Sequence, residues 1–221
     1  MIILQGFVQT NILYKYRICY ICNMTEFPKK LMAKLTERQT NNALRKLPMP
    51  KGLIDFSSND YLGLAQNRTI FKNASNILKK KGVIANGATG SRLLTGNNGL
   101  YGELEVVLAS FFGSESALVF NSGYDANIGF FSAVTQRTDV VFYDELSHAS
   151  IRDGIGMGLA QSYKFKHNQL EGLSGQIDRA RERKPDSDIY VVTESVFSMD
   201  GDAASLKALV ELCISKRAYL V

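Results

Sequence analysis

Residues 139–167 read DVVFYDELSHASIRDGIGMGLAQSYKFKH, and this stretch decides the fold. The apolar run DVVFYD predicts a buried strand, a helical pattern follows from 148 to about 159, and QSYKFKH predicts a second strand. Two strands joined by a helix lie parallel in one sheet, with a right-handed crossover between them. The stretch therefore predicts an α/β protein.

The same alternation continues on both sides of this unit. Upstream, SALVF predicts a strand and GYDANIGFFSAVT a helix. Downstream follow a helix over 169–183, the strand DIYVVTES, a helix over 205–216 and the opening of a strand in AYLV. Apolar strands separated by helices are typical of a mostly parallel sheet that helices cover on both faces. We expect that architecture here.

The chain before SALVF is less regular. The sequence predicts an exposed amphipathic helix over 27–46, a short strand and turn in LIDFSSNDYLGL, a helix over 67–80, and a helix over 100–112 that Gly113 ends. The glycine-rich stretch NGATGSRLLTGNN separates the last two helices. It has no Gly-Lys-Ser/Thr sequence and no preceding strand, so its plain interpretation is a surface loop.

Composition narrows the classes of protein. The chain has 221 residues, of which 45% are hydrophobic, and a formal net charge of +5. Basic residues cluster at Lys79–Lys81, Lys164–Lys166 and Arg179–Lys184, without the patterns of nucleic-acid modules, so we interpret them as solvated surface. No apolar run reaches the roughly eighteen residues that span a bilayer. We predict a protein that binds neither nucleic acid nor a membrane.

The cysteines indicate the compartment and the N-terminal boundary. Three cysteines without a disulfide framework favour a reducing cytoplasm. Cys19 and Cys22 have Cys-x-x-Cys spacing, but no second ligand pair accompanies them, so we predict no metal site. We expect Met24 to be the natural start and residues 1–26 to be a non-native or flexible extension.

Polar residues follow three of the predicted strands, at the ends where parallel sheets bind ligands. They are Ser122, Gly123 and Tyr124 after SALVF, Ser147 and His148 after DVVFYD, and Ser195, Ser198, Asp200 and Asp202 after DIYVVTE. Taken singly, each has a structural interpretation as a turn, a helix cap or a solvent-facing histidine. Together they predict a site for a phosphorylated, aromatic ligand, because two of the groups open helices.

Six segments in register carry a resemblance to a known family. They are DFSSNDYLGLA, GATGSRLLTGNNGLYGELE, FNSGYDANIG, DELSHASIRDG, FKHNQLEGL and ESVFSMDGD. In this order and spacing the chain from about residue 27 to 221 resembles the α-oxoamine synthases, which are pyridoxal 5'-phosphate (PLP) enzymes of the aspartate-aminotransferase fold, fold type I. The resemblance implies the large, cofactor-binding domain of that fold.

The resemblance also implies roles for single residues. The backbone of Gly123 and Tyr124 would hold the cofactor phosphate at a helix start. His148 would stack on the pyridine ring and help to position the substrate carboxylate, and Ser198 would donate a hydrogen bond to the phenolic oxygen. His148 and Glu194 would be the catalytic residues, with Glu194 in a supporting role near Ser198.

Substrate contacts and assembly follow from the same resemblance. Arg45 and Asn59 would lie near the substrate, with Arg45 as a partner for an acyl or carboxylate oxygen. The segment Gly90–Gly96 would approach the site across the interface of a homodimer with a shared active site. The partners would be an amino acid and an acyl thioester, condensed with decarboxylation. Within the family, the sequence of these motifs favours alanine and a pimeloyl thioester as substrates, as in biotin synthesis. Glycine C-acetyltransferase or another member of the family is the alternative.

The resemblance gives the domain boundaries and one expectation about activity. Residues 27–65 would form an N-terminal helix and short strand segment, and 66–221 an incomplete, truncated large domain. In the family, the strand that begins with AYLV continues into an Asp-Glu-Ala-His motif, and the Schiff-base lysine follows further along the chain. Neither is in this sequence, so we expect residues 1–221 alone to be inactive. A non-catalytic scaffold subunit and a simple phosphate-binding α/β domain are the rival interpretations.

Overall fold

The computed structural model describes residues 28–45, 47, 52 and 54–221. These residues fall into two units, one up to Ile84 and one from Ala85 onward. The proposed extension 1–26, with its start at Met24 and its Cys19–Cys22 pair, lies outside the described residues.

The unit up to Ile84 contains two helices, α1 at Lys29–Thr40 and α2 at Arg68–Lys80. Helix α2 confirms the prediction over 67–80, because the Asn67 side chain caps it by accepting hydrogen bonds from the amides of Thr69 and Ile70 at 2.9 and 3.1 Å. Helix α1 ends earlier than predicted, and two residues after its end Asn42 turns the backbone to a φ of 51°.

The strand predicted in LIDFSSNDYLGL is wrong for residues 54–64, which form turns. The Asp55 carboxylate accepts from the Ser57 amide at 2.8 Å, and the Asp60 carboxylate accepts from the Leu64 amide at 2.7 Å. Side-chain acceptors that bond their own neighbouring amides compete with strand pairing and win where no second strand is at hand.

The unit from Ala85 holds the α/β part of the chain. Its elements are α3 Gly99–Phe112, α4 Gly123–Val134, β1 Val140–Asp144, α5 Ala149–Met157, β2 Gln161–Phe165, α6 Leu170–Arg183, β3 Ile189–Val192, α7 Leu206–Lys216 and β4 Tyr219–Leu220. Each helix of this set agrees with its sequence prediction to within two residues. Helix α3 ends as predicted at Gly113, whose φ of 63° is the left-handed conformation that glycine adopts without strain.

The four strands form one sheet in the order β2-β1-β3-β4, and every described pairing is parallel. Val140 of β1 aligns with Gln161 of β2 on one side and with Ile189 of β3 on the other. The prediction of a parallel sheet is confirmed. Parallel strands end at the same edge, so the segments after β1, β2 and β3 meet there.

Helices cover both faces of the sheet, as predicted. Successive side chains of a strand point to opposite faces. Val140 and Phe142 pack with Leu173 of α6 and Leu209 of α7 in one buried cluster. On the other face, Val141 and Val192 pack with Phe131 of α4 and with Ile151 and Ile155 of α5.

The strand predicted at SALVF does not form. Residues 116–120 carry no strand pairing, and Leu118 and Phe120 remain 65% and 41% exposed. The Val119 amide donates instead to the Glu105 carboxylate at 2.9 Å. A strand needs a neighbour for its ladder, and among the described residues none lies beside this segment.

Candidate functional site

The start of α4 presents two unused backbone donors. Ser122 caps the helix, and its hydroxyl accepts from the Asp125 amide at 3.0 Å. The amides of Gly123 and Tyr124 donate to no described residue. A Cβ atom built on Gly123 would meet nothing within 4 Å, so the space beside these amides is open. Free N–H groups at the positive end of a helix dipole fit a phosphate group.

Side-chain hydrogen bonds tie this helix start to α5. The Tyr124 hydroxyl donates to the Asp153 carboxylate at 2.7 Å, and this bond is the main reason that the pKa of Tyr124 is raised. The Asn127 amide group donates to the Ser150 hydroxyl at 2.8 Å. Two hydrogen bonds from neighbouring turns of α4 therefore fix its first residues against the first two turns of α5.

His148 caps α5 and its ring orientation is fixed on one side. The ring atom Nδ1 accepts from the Ser150 amide at 3.2 Å and lies 2.7 Å from the Ser150 hydroxyl. Because Asn127 already donates to that hydroxyl, the hydroxyl proton points to Nδ1, and this pattern assigns the proton of the neutral ring to Nε2. His148 is exposed, so its ring faces remain free for a planar ligand.

Glu194 joins the end of β3 to this site. It follows the strand by two residues, is half-buried, and accepts from the His148 backbone amide at 2.6 Å. The structure thus brings together Gly123, Tyr124, His148 and Glu194 through contacts between α4, α5 and the end of β3.

Three predicted site residues are not joined to this group by a described contact. Ser198 is exposed, in the turn between Phe197 and Gly201. Arg45 and Asn59 are exposed and belong to the unit that ends at Ile84. Their roles stay predictions.

The glycine-rich loop closes on itself. The Thr89 hydroxyl donates to the Thr95 carbonyl at 2.9 Å, and the Gly96 amide donates to the Ser91 carbonyl at 2.9 Å. A Cβ atom on Gly96 would collide with the Gly90 carbonyl, so this position requires glycine. The approach of Gly90–Gly96 to a site across an interface stays a prediction.

Sequence reasoning missed a cluster at the same sheet edge. His167, just after β2, lies between the carboxylates of Asp144 at the end of β1 and Asp202 after β3. A strand-end aspartate, a histidine after the next strand and a further aspartate after the third were the available signal. The two carboxylates lie on opposite ring nitrogens and cannot bind one metal ion together. The described residues contain no group of side chains placed to hold a metal ion.

A groove of about 910 Å³ lies elsewhere, between β2 and α6. Tyr163, stacked on Phe142, lies beside Lys164, Arg179 and Arg183 there. None of its lining residues is a predicted site residue, and no helix start opens into it. The edge where the strands end, with convergent donors from several elements, is the better candidate site.

The protein has a parallel sheet, and two helix starts and a histidine lie where its strands end. It is an α/β protein of the fold-type I class that PLP enzymes use. The chain belongs to the aminotransferase class I and II family, whose model matches residues 51–221. The predicted fold is confirmed.

Curated relatives narrow the resemblance. The chain is 36% identical over 207 residues to 8-amino-7-oxononanoate synthase of Granulibacter bethesdensis. The match covers 90% of this chain and 53% of that protein. The chain is 44% identical over 171 residues to a putative 8-amino-7-oxononanoate synthase of Bacillus cereus, covering 77% of this chain and 42% of the relative. The chain spans about half the length of the curated relatives it matches.

Solved structures agree with this grouping. A serine palmitoyltransferase from S. paucimobilis, which carries a bound PLP–myriocin aldimine, matches 96% of this chain and 54% of its own with a TM-score of 0.74 and 26% identity. The 8-amino-7-oxononanoate synthase of Francisella tularensis matches 73% of this chain and 42% of its own with a TM-score of 0.57 and 28% identity. No helix among the described residues is long and apolar enough to cross a membrane.

Proposed function

We propose that this chain is the N-terminal part of a PLP-dependent α-oxoamine synthase that condenses alanine with a pimeloyl thioester and releases carbon dioxide. The observation that carries the proposal is the joined set of helix starts: the amides of Gly123 and Tyr124 are free, the Tyr124 hydroxyl ties α4 to α5, and the His148 backbone amide donates to Glu194. The relatives named 8-amino-7-oxononanoate synthase support the choice of substrates.

The residues of this chain would bind and orient the cofactor. Gly123 and Tyr124 would donate their backbone N–H groups to the phosphate. When bound, PLP supplies an electron sink for charge that develops on the substrate α-carbon. The Ser198 hydroxyl would donate to the phenolic oxygen.

His148 would act through its ring face and its free Nε2. Ser150, whose hydroxyl accepts from Asn127, holds the ring from the Nδ1 side, so the ring need not lose rotational freedom when a ligand binds. The Glu194 carboxylate accepts from the backbone amide of His148 at 2.6 Å, which ties the start of α5 to the segment after β3. The Nε2–H group would donate a hydrogen bond to the substrate carboxylate, and Arg45 and Asn59 would lie near the substrate, with Arg45 as a partner for an acyl or carboxylate oxygen.

The first test uses the whole protein and compares amino acids. We expect PLP to bind with a visible absorbance band, and alanine to perturb that band at lower concentration than glycine or serine. Release of carbon dioxide should then require both alanine and a pimeloyl thioester. A response to glycine and acetyl-CoA alone would favour glycine C-acetyltransferase, and no PLP binding at all would contradict the proposal and favour the scaffold interpretation.

The second test separates the strand-end site from the basic groove. His148→Ala in the whole protein should weaken PLP binding about tenfold or more, since stacking on a planar ring is worth roughly 1–3 kcal/mol. Arg183→Ala, which changes the groove between β2 and α6, is the control and should leave PLP affinity unchanged. The reverse ranking of the two variants would move the site to the groove.

We further propose a cytoplasmic homodimer, in which each subunit contributes to the other's site. Exposed apolar side chains on α3, among them Val106, Val107 and Phe111, support a subunit or domain contact there. The mass of the whole protein in solution, measured by sedimentation, should be twice that of its chain. Residues 1–221 alone should not convert substrate to product, because no lysine in them matches the lysine that binds PLP in the family.

A further inference from the structure

His167 is bound on both ring nitrogens by carboxylates from different strand ends. Its Nδ1 lies 2.9 Å from Asp144 Oδ1, and its Nε2 lies 2.7 Å from Asp202 Oδ2. An ionised carboxylate only accepts hydrogen bonds, so both ring nitrogens donate and the ring is a cation. Asp144 is fully buried, and two further amides, those of Leu146 and Asn168, donate to its carboxylate at 2.9 and 3.2 Å.

The charges around the ring favour that cation. Hydrogen bonds from Asp202 and Asp144 raise the pKa of His167, and burial opposes them only in part. The Glu145 carboxylate accepts from the His167 backbone amide, not from the ring, at 3.2 Å, and it pairs with Lys166 at 3.4 Å. The cation therefore persists to a higher pH than in a free histidine.

This cation holds one turn of the chain, Phe197–Asp202. Two backbone hydrogen bonds close the turn, from the Phe197 amide to the Asp202 carbonyl at 2.9 Å and from the Gly201 amide to the Phe197 carbonyl at 2.8 Å. His167 contacts both ends of the turn. It binds the Asp202 carboxylate and makes an edge-to-face contact with the Phe197 ring, with the ring centroids 4.6 Å apart. Ser198 lies within the turn, and Glu194 lies three residues before it.

We propose that His167 is a positioning residue, which anchors the Phe197–Asp202 turn to the ends of β1 and β2 so that Ser198 and Glu194 are held where a cofactor meets the sheet edge. The part that concerns the cofactor rests on the proposed function. His167 itself does not reach the reacting atoms, since both of its ring nitrogens are occupied by carboxylates. Without it, the turn would keep its two internal backbone bonds, the buried Phe197 ring and the hydrogen bond from the Asn168 side-chain amide to Asp202 at 3.1 Å, but it would lose its charged link to the ends of β1 and β2.

The anchor itself is tested without any cofactor. In the whole protein with labelled histidines, the NMR signal that is missing from His167→Gln should titrate above a free histidine. Hydrogen exchange at the Phe197 and Gly201 amides should be about tenfold faster in His167→Gln and in the milder Asp202→Asn. The matched control is Asp178→Asn, which removes the exposed ion pair to Lys216 and should leave both amides unchanged.

A double-mutant cycle tests whether the anchor acts through Ser198. His167→Gln and Ser198→Ala should each weaken PLP binding about tenfold, and the double variant should be no weaker than the worse single one. Additive losses would overturn the positioning role, as would a His167 variant that binds PLP like the wild type. If the wild type binds no PLP, the proposed function fails, while unchanged hydrogen exchange in both anchor variants would independently overturn the anchor.

Discussion

Two parts of the unit beginning at Ala85 have similar apolar composition and opposite burial. In strands β1 and β3, Val141 and Val191 are 0% exposed. Helix α3 contains no buried residue, and its Val106 and Phe112 are 71% and 72% exposed. Apolar content alone therefore predicts an element but not its burial.

The difference is one of partners. Strand β1 has a neighbouring strand on each side and helices on both faces. Helix α3 is held among the described residues by polar contacts, in which Arg92 binds Glu105 through two bonds of 2.6 and 3.0 Å and Glu105 accepts from the Val119 amide. A side chain gains hydrophobic stabilisation only where another surface removes it from water.

The largest effect should come from deleting the same ring in each region. Phe142→Ala removes a side chain that is 2% exposed between β1 and α6, and should lower the free energy of unfolding by about 3–5 kcal/mol. In the chain without a partner subunit, Phe112→Ala on α3 should change it by less than about 0.5 kcal/mol. Urea denaturation measures both. Equal losses would mean that α3 is packed in solution as tightly as the sheet.

A smaller effect should come from the contact between α4 and α5. A Cβ atom at Gly154 would lie 2.7 Å from the Asn127 carbonyl oxygen and 3.0 Å from the Ile128 Cα, both backbone atoms that cannot rotate away. Gly154→Ala should therefore cost about 1–3 kcal/mol, because the helices must separate. Gly156→Ala, two residues along α5 in open space, should instead stabilise by up to about 1 kcal/mol. The sign of the difference in thermal midpoint decides whether the close approach exists.

The next smaller loss of stability should come from the cap at the start of α4, which lies between α3 and β1 in the chain. Ser122→Ala removes the acceptor of the Asp125 amide and should cost about 1 kcal/mol. Ser132→Ala lies on the same helix, where the hydroxyl makes only a 3.5 Å contact to the Gly129 carbonyl, and serves as the control. Chemical denaturation should rank the two; a Ser132→Ala loss as large as that of Ser122→Ala would contradict the cap.

The smallest effect concerns the ion pair that holds α3. Hydrogen bonds from Arg92 and the Val119 amide lower the pKa of Glu105 to about 2. Since the folded-state pKa lies below the unfolded value, the stabilisation is present above about pH 4.5 and is lost as the pH falls towards 2. Glu105→Gln should thus lower the thermal midpoint at pH 7 and differ little from the wild type near pH 2. A difference that persists unchanged to pH 2 would exclude the ionised carboxylate as its cause.

How much the sequence could predict depended on whether a segment's partners were local. The helices and β1–β3 followed from apolar periodicity, and the end of α3 followed from Gly113. SALVF and LIDFSSNDYLGL read as strands by composition, but strand formation requires a partner that periodicity does not reveal. The candidate residues Gly123 and His148 were found because each follows a predicted strand at a helix start, and Glu194 was found only through the family resemblance. The contact between His148 and Glu194 spans 46 positions in sequence, so no local pattern predicts it.

By itself the sequence determined the α/β class, the parallel order of strands and helices, and the helix starts that could hold a phosphate, because these depend on residues a few positions apart. Only the tertiary structure decided which faces are buried and that His167 lies between Asp144 and Asp202. Those residues come from three strand ends, and their hydrogen bonds depend on distances that exist only once the sheet has aligned its strands.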